Sequence, residues 1–175
     1  MIKGELMDKN LKEIVWSQFG ASIDMLKNAI KVCPVEVWGN VPSYHEFWYI
    51  AYHTLFWLDF YLSESPDKFS PPSPFTLTEF DPEGKLPDRI YTKDELLNYL
   101  EYGRKKCRIR INNLTDLEVH RHFVFGSIDL SIMELLLYNM RHIQHHTAQL
   151  NLLLRQKMDS APRWVKQTGS KLEND

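Results

Sequence analysis

The sequence predicts an all-α protein, a four-helix bundle in which a long crossover link joins the second helix to the third. Apolar residues recur at helical spacing in four segments, and three of these segments open with a pattern typical of helix starts. A proline-rich stretch separates the second segment from the third. The chain has 175 residues, the length of one domain, so we expect a single domain over residues 1–175.

The first helical segment carries apolar residues at steps of three and four, from Leu11 to Cys33. Pro34 follows directly, and proline disfavours the helical conformation in the residue before it. We therefore expect the first helix to end at this proline.

The second helical segment opens with Ser43 and Glu46, which have the spacing of a capping box. In this motif the two side chains satisfy each other's free backbone N–H groups. The link that follows, about residues 63–90, contains six prolines, so no helix can cross it. Antiparallel neighbouring helices need only about 2–8 connecting residues. The longer link therefore predicts a crossover between two parallel helices.

The third and fourth helical segments also open with capping boxes, formed by Thr92 with Glu95 and by Ser131 with Glu134. Between these helices, residues 120–126 alternate polar and apolar side chains, which predicts a short strand or an ordered loop. After about residue 162 apolar residues are few, and we expect the tail to be partly disordered.

Charge and composition argue against several classes of partner. A formal net charge of -2 and a pI near 6.4 give no general attraction to nucleic acids or anionic lipids. No apolar run is long enough to span a bilayer, and residues 1–6 are too polar for a secretory signal. Cys33 and Cys107 are too few for a disulfide framework, which favours a reducing compartment. We expect a cytoplasmic protein with no nucleic-acid or membrane partner.

Three histidines are candidate metal ligands. His142 and His146 are four residues apart on the fourth helix, so they share one face and can converge on one ion. His53 lies near the middle of the second helix, on a face expected to point into the bundle. Three histidines that leave coordination positions free are typical of catalytic zinc and related sites. A histidine on an apolar helix face is also often only a hydrogen-bonded core residue, and Ile143 occupies the place of the general-base glutamate in the zincin motif.

The final helix resembles that of the DinB/YfiT-like superfamily of metal-binding four-helix-bundle proteins. The resemblance is carried by LLLYNMRHIQHHTAQL (residues 135–150), in which two histidines four apart are followed by a small residue, glutamine and leucine. His53, within Ile50-Ala51-Tyr52-His53, matches the third metal ligand in the second helix of that family. The resemblance implies a bundle with a long crossover after the second helix and a metal site at His53, His142 and His146.

The resemblance also implies one divalent ion, zinc or nickel, and a homodimer. Its characterised members include transferases that use low-molecular-weight thiols such as bacillithiol, thiol-dependent isomerases and hydrolases. The leading hypothesis is therefore a thiol S-transferase acting on small electrophiles, with the thiol as cosubstrate. The alternatives are a non-catalytic metal- or ligand-binding stress-response protein and a metal-dependent hydrolase.

For several other polar residues the sequence allows more than one role. His120 and His122 either approach the metal pocket or lie in an exposed loop, and His145 is expected at the flank of the histidine pair. The third helix carries a basic run, which is typical of a solvated face, although an anionic thiol is another possible partner. This run comprises Arg104, Lys105, Lys106, Arg108 and Arg110.

Overall fold

The protein is mostly helical. The computed structural model describes residues 8–172, so the polar segment 1–6 and the last three residues of the tail lie outside the described part. Within it are six α-helices and one two-stranded antiparallel sheet. In chain order they are α1 (Lys9–Val32), α2 (Val35–Trp38), α3 (Phe47–Tyr61), α4 (Lys93–Asn112), α5 (Asp116–His120), β1 (His122–Phe125), β2 (Ile128–Ser131) and α6 (Ile132–Met158).

The all-α class predicted from the sequence is confirmed, and the four predicted helical segments correspond to α1, α3, α4 and α6. Helix α1 ends at Val32, two residues before Pro34, as proline requires. The short helices α2 and α5 were not predicted, because each contains at most five residues and shows no periodicity. No helix within residues 8–172 is both long and apolar enough to cross a membrane.

Two of the three predicted capping boxes are present. The Thr92 side chain accepts a hydrogen bond from the Glu95 backbone N–H, and the Glu95 side chain accepts from that of Thr92. Ser131 and Glu134 make the same reciprocal pair at the start of α6. These bonds satisfy backbone donors that the first turn of a helix otherwise leaves free.

The third predicted box, Ser43 with Glu46, is wrong. Helix α3 begins at Phe47, and its N-cap is Glu46, which has extended backbone angles and makes no side-chain capping bond. The Glu46 backbone N–H instead donates to the Ser43 carbonyl at 3.2 Å, closing a turn before the helix. Because this turn uses the donor that a capping box would satisfy, the motif cannot form here.

Helix α3 packs between α4 and α6. The Tyr99 hydroxyl and the Lys106 ammonium of α4 donate to Asp59 of α3. Trp48, near the start of α3, contacts Tyr91, which lies just before α4, so α3 and α4 run in the same direction. Gly103 allows their close approach, since a Cβ there would lie 3.0 Å from Leu58 Cδ2.

Helix α6 runs antiparallel to α3. The Asn139 side-chain amide donates to the Leu58 carbonyl at 3.1 Å, and later in α6 His146 contacts His53, which lies earlier in α3. The interior is filled by large aromatic side chains. The largest fully buried side chains include Trp48, Tyr52, Tyr99, Phe19, Phe56 and Phe60.

The proline-rich link between α3 and α4 contains two 3-10 turns, Pro66–Lys68 and Thr78–Phe80. Phe69 and Phe75 of the link are buried in the core. The Tyr44 hydroxyl donates to the Gly84 carbonyl, which fixes the far part of the link to the segment before α3. The link is thus packed against the helices, and its second 3-10 turn lies over His53 of α3.

The stretch before α6, predicted as a short strand or an ordered loop, contains one arm of a β-hairpin. Strand β1 pairs with β2 from His122 opposite Ser131 to Phe125 opposite Ile128. Gly126 has a φ of 56°, a value favoured by glycine, and allows the tight turn. The tail lies along α1, where the Ser170 carbonyl accepts from the Trp16 indole N–H at 2.9 Å.

Candidate metal centre

The structure brings the three candidate ligands together. His53 is on α3, and His142 and His146 are one turn apart on the antiparallel helix α6. One ring nitrogen from each lies within 4.8 Å of those of the other two. The Nε2 atoms of His53 and His142 are 3.3 Å apart. Nitrogen atoms this close can converge on one ion at metal–nitrogen distances of about 2.1 Å.

Hydrogen bonds at Nδ1 set the tautomers of two of these histidines. His53 Nδ1 lies 2.6 Å from Glu79 Oε2, and His146 Nδ1 lies 2.7 Å from Gln149 Oε1. Both oxygens accept hydrogen bonds, so the proton of each neutral imidazole is on Nδ1. The Nε2 lone pairs of His53 and His146 are therefore free to bind a metal.

Burial keeps the imidazoles of His142 and His146 neutral. It lowers the pKa of His142 to about 3, and repulsion from His146, His53 and His145 adds to this effect. Burial also lowers the pKa of His146 to about 4. Neutral imidazole is the form that binds metals. His142 Nδ1 is buried and has no hydrogen-bond partner among residues 8–172.

Glu79 lies behind His53. Its side chain is 5% exposed and accepts three hydrogen bonds, from the rings of His53 and Trp57 and from the Tyr49 hydroxyl. Burial raises the pKa of Glu79, but His53, Tyr49 and Trp57 together outweigh this effect, and the net pKa is lowered. Glu79 is therefore an anion next to a metal-ligand candidate, an arrangement common in histidine metal sites. Sequence reasoning missed it, because the proline-rich link gives no periodicity that would mark one carboxylate.

A pocket of about 490 Å³ opens beside the cluster. His53 and His146 line it together with Glu79 and Gln149. Its walls and rim include Tyr44, Tyr49, Trp57, His45, Asp81 and Lys85. The volume suits a small molecule, and the mixture of aromatic walls with a few polar groups is typical of ligand sites.

The other polar residues considered from the sequence lie outside this pocket. His120 and His122 are exposed, and His122 Nδ1 contacts Asp129 across the hairpin at 2.5 Å. His145 is exposed beside His146, with the two ring centroids 4.9 Å apart, which is the flank position expected. His45 lines the pocket and was not predicted, because it precedes the periodic part of α3.

The basic run of α4 is engaged in ion pairs more than predicted. Arg104 pairs with Asp24 of α1 at 2.8 Å, and Arg110 pairs with Glu118 of α5 at 2.7 Å. Lys106 reaches the buried Asp59. These three residues hold helices together, and none of the five basic residues lines the pocket at the histidines.

The donor set fits a divalent ion of the zinc or nickel kind. Three neutral imidazoles suit these ions, and a carboxylate that accepts from the second nitrogen of one ligand is their usual support. No protein-family model, curated protein or solved structure matches the chain. Function is therefore inferred from the geometry of this site.

Proposed function

We propose that this protein is a divalent-metal-dependent S-transferase that joins a low-molecular-weight thiol, of the bacillithiol kind, to small electrophiles. The observation that carries the proposal is the cluster of His53, His142 and His146, whose ligand atoms lie within 4.8 Å of one another. The Nδ1 hydrogen bonds of His53 and His146 support it, because they leave Nε2 free for an ion.

We also propose that α1, α3, α4 and α6 form a four-helix bundle of the DinB/YfiT kind, with the proline-rich link as its crossover. The parallel direction of α3 and α4 supports this, since a link between parallel neighbours must return along the bundle. A homodimer follows only from the resemblance. Cys33 and Cys107, both free and buried, agree with a reducing compartment, and we propose the cytoplasm.

In the proposed reaction, a bound ion would activate the thiol and the pocket would bind the electrophile. A divalent ion held by the three histidines would keep a thiol deprotonated at neutral pH. In the transfer, the thiol proton goes to solvent and the sulfur forms a bond to an electrophilic carbon. The leaving group departs with the electron pair of the broken bond. The aromatic walls, including Tyr49 and Trp57, would orient the electrophile and limit the access of water.

The carboxylate beside His53 favours a thiol over water as the nucleophile. Glu79 is occupied by three hydrogen-bond donors. Hydrolysis would need a free general base near the attacking water. A thiol needs less assistance, since its pKa of about 8.5 is far below that of water.

The test is turnover of a fluorogenic electrophile such as monochlorobimane by zinc- or nickel-loaded protein, with bacillithiol, mycothiol, glutathione or no thiol. We expect a rate above the uncatalysed reaction with at least one thiol and none without. His146→Ala should abolish this rate, while His145→Ala, altered one residue away at an exposed position, should keep it. Equal rates for wild type and His146→Ala would contradict the proposal.

A further inference from the structure

We propose that Glu79 is a positioning residue for the metal centre, which holds His53 in its metal-binding tautomer and supplies a negative charge that a bound divalent ion requires. This inference rests on the proposed metal site and assigns part of its affinity to the proline-rich link. Glu79 is in the 3-10 turn Thr78–Phe80, far in sequence from all three histidines.

The geometry fixes the Glu79 carboxylate on three sides. Oε2 accepts from His53 Nδ1 at 2.6 Å and from Trp57 Nε1 at 3.0 Å, and Oε1 accepts from the Tyr49 hydroxyl at 2.7 Å. All three donors come from α3, so the carboxylate docks the link onto that helix. Since the ring donates to Glu79 from Nδ1, the Nε2 of neutral His53 carries the lone pair that faces His142.

The charge balance points the same way. The three histidines are neutral as ligands, so a divalent ion there would bring two positive charges into a partly buried site. Glu79 is 5% exposed, and no lysine or arginine within the described residues forms an ion pair with it. Three hydrogen bonds already stabilise this buried carboxylate. A cation bound one imidazole away would stabilise it further, and the carboxylate would favour the cation in return.

This relation is reciprocal. If Glu79 increases the affinity for the ion by some factor, the ion must stabilise the docked carboxylate by the same factor. Metal binding should therefore hold the second 3-10 turn more firmly on α3. Amide hydrogen exchange of residues 76–81 should be slower with zinc than without it.

The decisive comparison is Glu79→Gln against Glu83→Gln. Glutamine at 79 keeps the size of the side chain and an oxygen able to accept from His53, but it loses the charge. Glu83 is an exposed acid of the same link outside the pocket, so its variant removes the same charge without touching a ligand. We expect zinc affinity, measured by competition with a chelator, to fall about 10- to 100-fold in Glu79→Gln. It should change less than about twofold in Glu83→Gln.

A second measurement needs no variant and is insensitive to folding defects. Nitrogen-15 NMR of the metal-free wild type should show His53 protonated at Nδ1. A proton at Nε2 instead would overturn the inference. Binding of about one zinc with equal affinity by wild type and Glu79→Gln would also overturn the inference. That result would leave the proposed metal site itself intact. Absence of zinc binding by the wild type would overturn both the site and the role of Glu79.

Discussion

At the scale of single residues, the clustered histidines could be predicted and their support could not. His142 and His146 are marked by their spacing of four on one helix, and His53 by its place among apolar residues at helical spacing. Glu79 contacts His53 across 26 residues of chain, through a link without periodicity. Such a contact depends on how the link folds back, which no local pattern encodes.

Asp59 illustrates a second residue-scale feature that the sequence hides. It is fully buried on α3, where it accepts hydrogen bonds from Tyr99 and Lys106 of α4. Burial raises the pKa of Asp59, and Lys106 and Tyr99 partly oppose this effect. A buried carboxylate of this kind depends on its cationic partner.

Lys106→Met should lower the free energy of unfolding by about 3 kcal/mol at pH 7, because it leaves the Asp59 carboxylate buried without a cation. An acid whose pKa is raised by folding favours the folded state when protonated. That contribution is present below about pH 4 and is lost as the pH rises through the folded pKa. Losing Lys106 raises this pKa further, so the deficit of the variant should shrink between pH 7 and pH 5.

Urea unfolding at the two pH values measures this deficit. Lys105→Met is the control, since Lys105 is the exposed neighbour on the same helix. A deficit that is the same for both variants, or that does not change with pH, would show that the Asp59–Lys106 pair does not stabilise the fold as described.

At the scale of elements, helix starts were predicted by a motif that is right twice and wrong once. The pairs Thr92–Glu95 and Ser131–Glu134 cap α4 and α6, whereas Ser43 belongs to a turn before α3. All three share a hydroxyl residue and a glutamate three positions later. What differs is the backbone after the hydroxyl residue, which the motif alone does not determine.

Ser131→Ala should destabilise the protein by about 1 kcal/mol, because it removes a side-chain acceptor for the Glu134 backbone N–H. Thr92→Ala should cost a similar amount. Ser43→Ala should change stability by less than about 0.5 kcal/mol, since Ser43 caps no helix. Thermal or urea unfolding of the three variants measures these losses. An equal loss of stability in Ser43→Ala would contradict the structure, because it would indicate that Ser43 caps α3.

The path of the proline-rich link, like the start of α3, could not be predicted from a local sequence pattern. Its prolines predicted correctly that no α-helix crosses it, because proline removes a backbone donor. They gave no indication that Phe69 and Phe75 enter the core or that residues 78–80 lie over His53. The proline content excludes an α-helix in the link, whereas the path of the link is set by contacts with α3 and α4.

At the scale of the whole molecule, the all-α class and the four long helices could be predicted because each rests on local periodicity. The order of packing rests on long-range contacts, such as that of Asn139 with Leu58. The central claim is that His53, His142 and His146 hold one divalent ion. It depends on local periodicity, which places two ligands on one helix, and on long-range packing, which brings the third from the antiparallel neighbour.

The most direct test of that claim is elemental analysis of the protein purified without an affinity tag and loaded with zinc or nickel. It should be done beside His53→Ala, His146→Ala and, as control, His145→Ala. We predict about one divalent ion per chain in the wild type and the control, with loss of the ion in the other two variants. A wild type without metal after loading, or metal content unchanged in His53→Ala and His146→Ala, would contradict the account.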